Sequence, residues 1–327
     1  MEYYAVKKIA FLLIFALLLS SCALAAGYPK KKLTAVIQWG AGGGTDTITR
    51  PLCTLAGDIL GKKVVPRNMA GGSGSIGAQY VFDAASDGYT LLMGAENPCL
   101  YKALDISGIT YEDFTCVLLI GDETVGIAVG KESPYHTIEE LISDALQNPG
   151  TVTCATTGVG GMPWEVAAML TSVTGATFNL IPYDSDASCR TAVLSGECAF
   201  TACKIQSGLE SWKSGDLNYL CMLSTEEAPL MPGVIPITET YPEFSELLPW
   251  GPFYGVFVKN GTDEGIVSTL SDAFLKAFQS EDYQKLLFGL SVNPLGYTGE
   301  EAAAYIRSWG EVTVSSLIRC GAIESHE

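Results

Sequence analysis

Residues 34–60 read TAVIQWGAGGGTDTITRPLCTLAGDIL, and three patterns follow one another inside them. Apolar residues run through 34–39, glycine dominates 40–44, and apolar residues then recur at helical spacing to 60. That order predicts a strand, a glycine-rich turn and a helix. Glycine lets the backbone take positive φ and approach a ligand closely. The helix behind the turn offers unpaired N–H groups and about half a positive charge. Such a turn suits a phosphate or a carboxylate. The same order returns twice. A turn at 71–77 leads into a helix through 83, and a strand at 152–156 precedes a turn at 157–161 and a helix over 163–174.

Outward from these units, strands and helices keep alternating. Strands are expected at 63–65, 90–94, 125–129, 178–182, 198–203, 219–224 and 255–258. Helices are expected at 137–147, 187–194, 263–279, 280–289 and 298–319. Thr137 with Glu140, and Thr298 with Glu301, have the capping-box spacing. A proline-rich stretch at 229–252 has no regular pattern. The alternation predicts an α/β fold, with the glycine turns at the carboxyl ends of strands, where open parallel sheets bind ligands.

The N-terminus predicts export. Lys7 and Lys8 precede an apolar run of 11 residues, 9–19. A membrane-spanning helix needs about 20 residues, so the run is a signal core and not an anchor. Leu19-Ser20-Ser21-Cys22 resembles a lipobox, with residues 1–21 removed and the Cys22 thiol lipidated. The competing expectation is an ordinary signal cleaved near Ala25-Ala26. The rest of the chain is long enough for one large or two medium domains. It carries 35 Asp+Glu against 17 Lys+Arg once Glu2, Lys7 and Lys8 are removed from totals of 36 and 19. That balance excludes nucleic acid as a natural partner. An anionic ligand would have to be held by local amides against the overall field.

Other chemistries find little support. Ten cysteines are present and none forms a CxxC. With Cys22 set aside, most of the rest sit in apolar runs and read as small buried hydrophobes, Cys189 and Cys198 being the first pair to check for a disulfide. His136 follows Ser133-Pro134-Tyr135 in a turn, and His326 lies next to the C-terminus, so no metal or triad spacing arises. No metal and no cofactor are expected. An exported hydrolase on the same frame would need GxSxG, HExxH or a placed base, and none occurs. Gly72-Ser73-Gly74-Ser75-Ile76-Gly77 satisfies GxGxxG, and Glu96 lies near the position of a ribose-binding acid. The dinucleotide reading is set aside on three grounds. Pro66-Arg67-Asn68-Met69 separates the turn from its strand, an exported protein has little access to the cofactor, and the other two turns lack the fingerprint.

An ordered set of motifs resembles one family, the substrate-binding proteins of tripartite tricarboxylate transporters, or Bug receptors. The set is Tyr28-Pro29, then Gly42-Gly43-Gly44-Thr45-Asp46, then Asn68 with Ala70-Gly71-Gly72 and Ile76-Gly77-Ala78. Asp87-Gly88-Tyr89-Thr90-Leu91-Leu92, Asn97-Pro98, Leu100-Tyr101, Asp113-Phe114, Asn148-Pro149-Gly150, Pro182-Tyr183 and Trp309-Gly310 continue it. The resemblance implies a two-domain periplasmic binding protein of the type II-like class, with a ligand cleft and two hinge crossings near 122–130 and 248–258. It implies residues 22–27 as a tether, 28–124 plus 252–327 as one domain, and 125–251 as the other. The implied ligand is a small carboxylate solute. The implied partners are the large and small membrane subunits of a transporter, served by a lipid-tethered monomer outside the cytoplasmic membrane. Feeding a signalling partner is the alternative. The resemblance puts Gly42, Gly43, Gly44, Thr45 and Asp46 on one lip and Thr156, Thr157, Gly158 and Gly160 on the other. Asp46 has a second possible role as a helix cap.

The chain departs from the family pattern at the lip. Gln38 and Ala41 stand where prolines are usual, and Trp39 replaces a phenylalanine. Trp39 could stack on a flat ligand or serve the core. Glu96 stands where small residues are common. Tyr183 is followed by Asp184-Ser185-Asp186 and not Lys-Gly, and Met162-Pro163-Trp164-Glu165 occupies the facing loop. A positive group is lost, and Glu96, Asp184 and Glu165 are candidates to approach the cleft. The expected ligand therefore carries an amino or other cationic group beside a carboxylate, or little charge. The alternative is that these acids face solvent.

Overall fold

Leu33–Ile37 (β1) is almost wholly buried and pairs in parallel on both sides, with Val64–Asn68 (β2) and with Thr90–Ala95 (β3). Between them run the helices Gly44–Leu60 (α1) and Ser75–Asp83 (α2), which complete two parallel crossover units. Phe114–Glu123 (β4), Phe253–Lys259 (β10) and Val292–Tyr297 (β11) join antiparallel, giving a six-stranded sheet in the order β11-β4-β10-β3-β1-β2. The second sheet has five strands. Val125–Gly130 (β5), Thr153–Thr156 (β6), Asn179–Pro182 (β7), Phe200–Lys204 (β8) and Leu217–Met222 (β9) lie in the order β7-β6-β8-β5-β9. The computed structural model describes residues 27–183 and 185–324. The signal segment, Cys22, His326 and Asp184 lie outside the described residues.

The helices of the second sheet are Ile138–Gln147 (α3), Met162–Thr174 (α4), Asp186–Leu194 (α5) and Ile205–Lys213 (α6). Glu264–Phe278 (α7), Glu281–Gly289 (α8) and Gly299–Arg319 (α9) complete the fold. The chain leaves the first sheet at the end of β4 and enters the second at β5 with only Thr124 between. It returns between β9 and β10. The two passages run side by side, where Glu123 N–H donates to Pro252 O at 3.0 Å. Helix α9 ties down the return. Trp309 stacks on Trp250 with centroids 5.7 Å apart, and its indole N–H donates to Gly251 O at 2.9 Å. One apolar core runs from Val36 and Leu92 under the first sheet, past α4 and α9, to Ile127 and Phe200 in the second.

Most expected elements are present, and the differences have local causes. Strand β2 continues through Pro66-Arg67-Asn68. Proline is tolerated there because β2 is an edge strand. One ground for setting aside the dinucleotide reading, a linker between strand and turn, is thereby corrected. The glycines of that turn serve packing: a Cβ on Gly77 would lie 3.0 Å from Gln38 Cα. Strand β4 is flanked on both sides and buried on both faces, so it shows no alternation. Helix α6 carries Gly208 mid-helix, where a Cβ would clash with the Tyr219 hydroxyl oxygen. Strand β11 contains Pro294 and an irregular register at the sheet edge. Thr137 caps α3 as expected, whereas Thr298 makes no side-chain cap. Cys189 and Cys198 are both buried free thiols.

Candidate functional site

A cavity of about 790 Å³ lies between the two sheets. The first-sheet side supplies Trp39 through Thr45, Thr47, Ser73, Ala95, Glu96, Asn97 and Tyr254. The second-sheet side supplies Thr157, Val159 through Met162, Ser185 through Ala187, Arg190, Lys204, Gln206 and Ser207. First-turn residues of four helices are in this lining. They are Gly44 and Thr45 of α1, Met162 of α4, Asp186 and Ala187 of α5, and Gln206 and Ser207 of α6. Each helix start carries unpaired N–H groups and a fractional positive charge, so four such fields converge on one space. Ser185 caps α5 by accepting from Ser188 N–H at 3.2 Å.

Of the residues expected at the site, Trp39, Gly42, Gly43, Gly44, Thr45, Glu96, Thr157 and Gly160 line the cavity. Asp46 does not, nor does it cap α1, whose N-cap is Gly43. Its carboxylate turns back into the loop, accepting from Gly42 N–H at 3.0 Å, from Asn68 Nδ2 at 3.0 Å and from Arg50. Asn68 Nδ2 also donates to Trp39 O at 2.9 Å, so Asp46, Arg50 and Asn68 brace the glycine loop from behind. Burial alone would raise the Asp46 carboxyl, but the bonds from Arg50, Gly42 and Asn68 outweigh it and hold the carboxyl below its ordinary value. Thr156, Gly158 and Tyr183 also stand outside the lining. The Thr156 hydroxyl accepts from Gly158 N–H at 3.5 Å and shapes the turn, and the Tyr183 hydroxyl lies 3.4 Å from Cys198 Sγ. The Asp46→Ala variant should therefore weaken solute binding roughly tenfold by loosening a loop it only supports. The difference from wild type is largest at neutral pH and fades as pH falls through the depressed Asp46 value. Isothermal titration from about pH 7 down to about pH 3 checks this, the gap holding to about pH 4 and closing only below it.

The loss of a lysine after Tyr183 does not leave the cavity without positive charge. Two cations that the sequence reading missed, Lys204 and Arg190, line the cavity. Lys204 ends β8 directly at the start of α6, and its Nζ lies 2.9 Å from Glu123 Oε2 and 2.9 Å from the Tyr254 hydroxyl. Tyr254 donates to the same carboxylate. The three groups join β8 of one sheet to β4 and β10 of the other. Burial disfavours the Lys204 ammonium, yet Glu123, Tyr254, Asp186 and Glu96 together raise its pKa well above the usual lysine value. A Cβ on Gly44 would lie 3.0 Å from the Tyr254 hydroxyl oxygen and 3.9 Å from Lys204 Nζ, so the glycine loop meets this cluster without room for a side chain.

The acids divide. Glu96 is 7% exposed and lines the cavity, with its Oε2 buried and unpartnered. Burial pushes its carboxyl up to about 7, with Lys204 opposing and Glu123 and Asp186 adding to the rise. Glu165, on α4, is 1% exposed and neither oxygen has a partner. Burial, then Glu96, raises its carboxyl well above the usual range. Among the described residues no cluster of His, Cys, Asp and Glu could hold a metal ion, and no helix is long and apolar enough to cross a membrane.

Comparison with known proteins places this architecture. The family model described as "Tripartite tricarboxylate transporter family receptor" matches residues 48–311. The protein BugT of Bordetella pertussis is 28% identical over 284 residues, covering 85% of this chain and 86% of its own. A solved R. palustris protein with adipate superposes with a TM-score of 0.79 at 21% identity, over 90% of this chain and 98% of that one. MatC from Rhodopseudomonas palustris, with bound malate, gives 0.73 at 22% identity over 90% and 99%. With the family model spanning both sheets and the fold shared throughout, the chain belongs to the tripartite tricarboxylate transporter receptors, solute-binding proteins of the Bug type.

Proposed function

We propose that this receptor closes its two lobes on a small carboxylate solute and delivers it to the large and small membrane subunits of a tripartite transporter. The observation that carries the reading is the convergence of four helix starts, with Lys204 and Arg190, on one interlobe cavity in an otherwise acidic chain. Amide groups and helix fields bind carboxylate without a dedicated cofactor. The solved relatives with adipate and malate agree with this class of solute. Residues 28–124 with 252–327 form one lobe and 125–251 the other, hinged at Thr124 and the segment before β10. The chain acts as a monomeric binding protein and not as an enzyme. A thermal-shift screen of dialysed protein with mono-, di- and tricarboxylates, amino acids among them, tests the reading. A concentration-dependent rise in melting temperature with at least one of them is expected, and no rise with any of them overturns it.

Lipid attachment at Cys22 would hold the receptor at the outer face of the cytoplasmic membrane. Several acyl chains give stable anchoring where one is marginal. The mature N-terminus should start at Cys22 and carry lipid mass. The Cys22→Ser variant should move the protein from the membrane fraction to the soluble one. An unmodified N-terminus further along the chain, near residue 27, would overturn this assignment.

A further inference from the structure

We infer that the solute is an amino-carboxylic acid whose ammonium group is received by Glu96. This deepens the carboxylate reading and rests on it.

Glu96 Oε2 is buried without a partner. Gln38 donates from Nε2 to Asn97 Oδ1 at 3.4 Å and leaves Oε1 unpartnered. Glu165, outside the cavity lining and with its own carboxyl raised partly by Glu96, also leaves both oxygens unpartnered. Of the three residues only Glu96 lines the cavity, and its free atom accepts a hydrogen bond, so what is missing on this wall is a donor. Buried acceptors normally find partners, and one on a cavity wall without any calls for an explanation.

An ammonium group brings three donors and a positive charge. A hydroxyl brings one donor and no charge. A carboxylate brings neither and would be repelled by Glu96. Lys204 does not fill the need, because its Nζ is held by Glu123 and Tyr254, both at 2.9 Å. The rise of the Glu96 carboxyl to about 7, caused first by burial, fits a group whose surroundings provide too little positive charge. The helix starts and Arg190 take the carboxylate of the same solute.

The test uses two triads that differ only in one substituent: aspartate, malate and succinate, and alanine, lactate and propionate. Titration calorimetry is run on dialysed wild-type protein and on the Glu96→Gln variant. In whichever triad binds, the amino member should bind wild type at least about tenfold tighter than its hydroxy and unsubstituted partners, and the variant should shrink that preference to about threefold or less. If the hydroxy or unsubstituted member binds wild type as tightly as the amino member, the inference fails while the carboxylate reading stands. If neither triad nor any larger carboxylate binds, both fail.

Discussion

Changing Lys204 to methionine should destabilise the fold by about 3–5 kcal/mol, the usual cost of leaving a buried charge without its partner. Glu123 is 1% exposed, and its Oε2 is shared between Lys204 and Tyr254 while Oε1 has no partner. Removing the ammonium leaves a buried carboxylate with one hydroxyl. The pair itself adds little, because desolvation offsets much of its Coulombic gain. The double variant Lys204→Met with Glu123→Gln should therefore recover a large part of the loss. Because the cluster joins β8 to β4 and β10, the single variant should also open the lobes, read as a larger radius of gyration in solution scattering. Urea unfolding of the two singles and the double gives the coupling directly. A loss below about 1 kcal/mol in the single variant would mean that Lys204 behaves as an exposed ion pair and does not join the lobes.

The second large effect has the opposite sign. Glu165→Leu should stabilise the fold by about 1–3 kcal/mol near pH 8, since it removes two buried oxygens that have no partner. The sign with pH follows from linkage. The Glu165 carboxyl is raised in the folded state, so its contribution is most favourable below the unfolded value and is lost as pH rises through the folded one. Wild type should therefore lose stability relative to the variant as pH climbs from about 5 to 8. Parallel melting curves that keep a constant gap across that range would contradict the burial of an unpaired acid at this position.

The elements that position the site were largely legible in the sequence. Turns at 40–44 and 157–161 show as glycine runs between a strand and a helix, and both line the cavity. The periodicity that gives α1 and α4 is local, so it survives without knowledge of the partner surfaces. What was not legible depends on packing. Lys204 could be found only by seeing that α6 starts directly after β8, and Gly208 hides that helix by lowering its propensity. Arg190 lies one turn inside α5, on a helix whose orientation the sequence does not give. Asp46 is expected from sequence as a ligand contact or a helix cap, whereas its side chain is turned by Asn68 and Arg50, partners that β2 and α1 bring together. Glu96 and Glu165 stood out by their departure from the family pattern. Only burial separates them into a cavity wall and a core acid.

The most direct measurement is a crystal structure of the receptor with the solute it retains on purification. The account predicts one carboxylate of that solute within hydrogen-bond distance of amides in the 42–45 loop and of at least one of the α4, α5 or α6 starts. A solute seated away from this cavity, or one without a carboxylate there, would contradict the central claim that four helix starts and two cations make an anion site between the lobes.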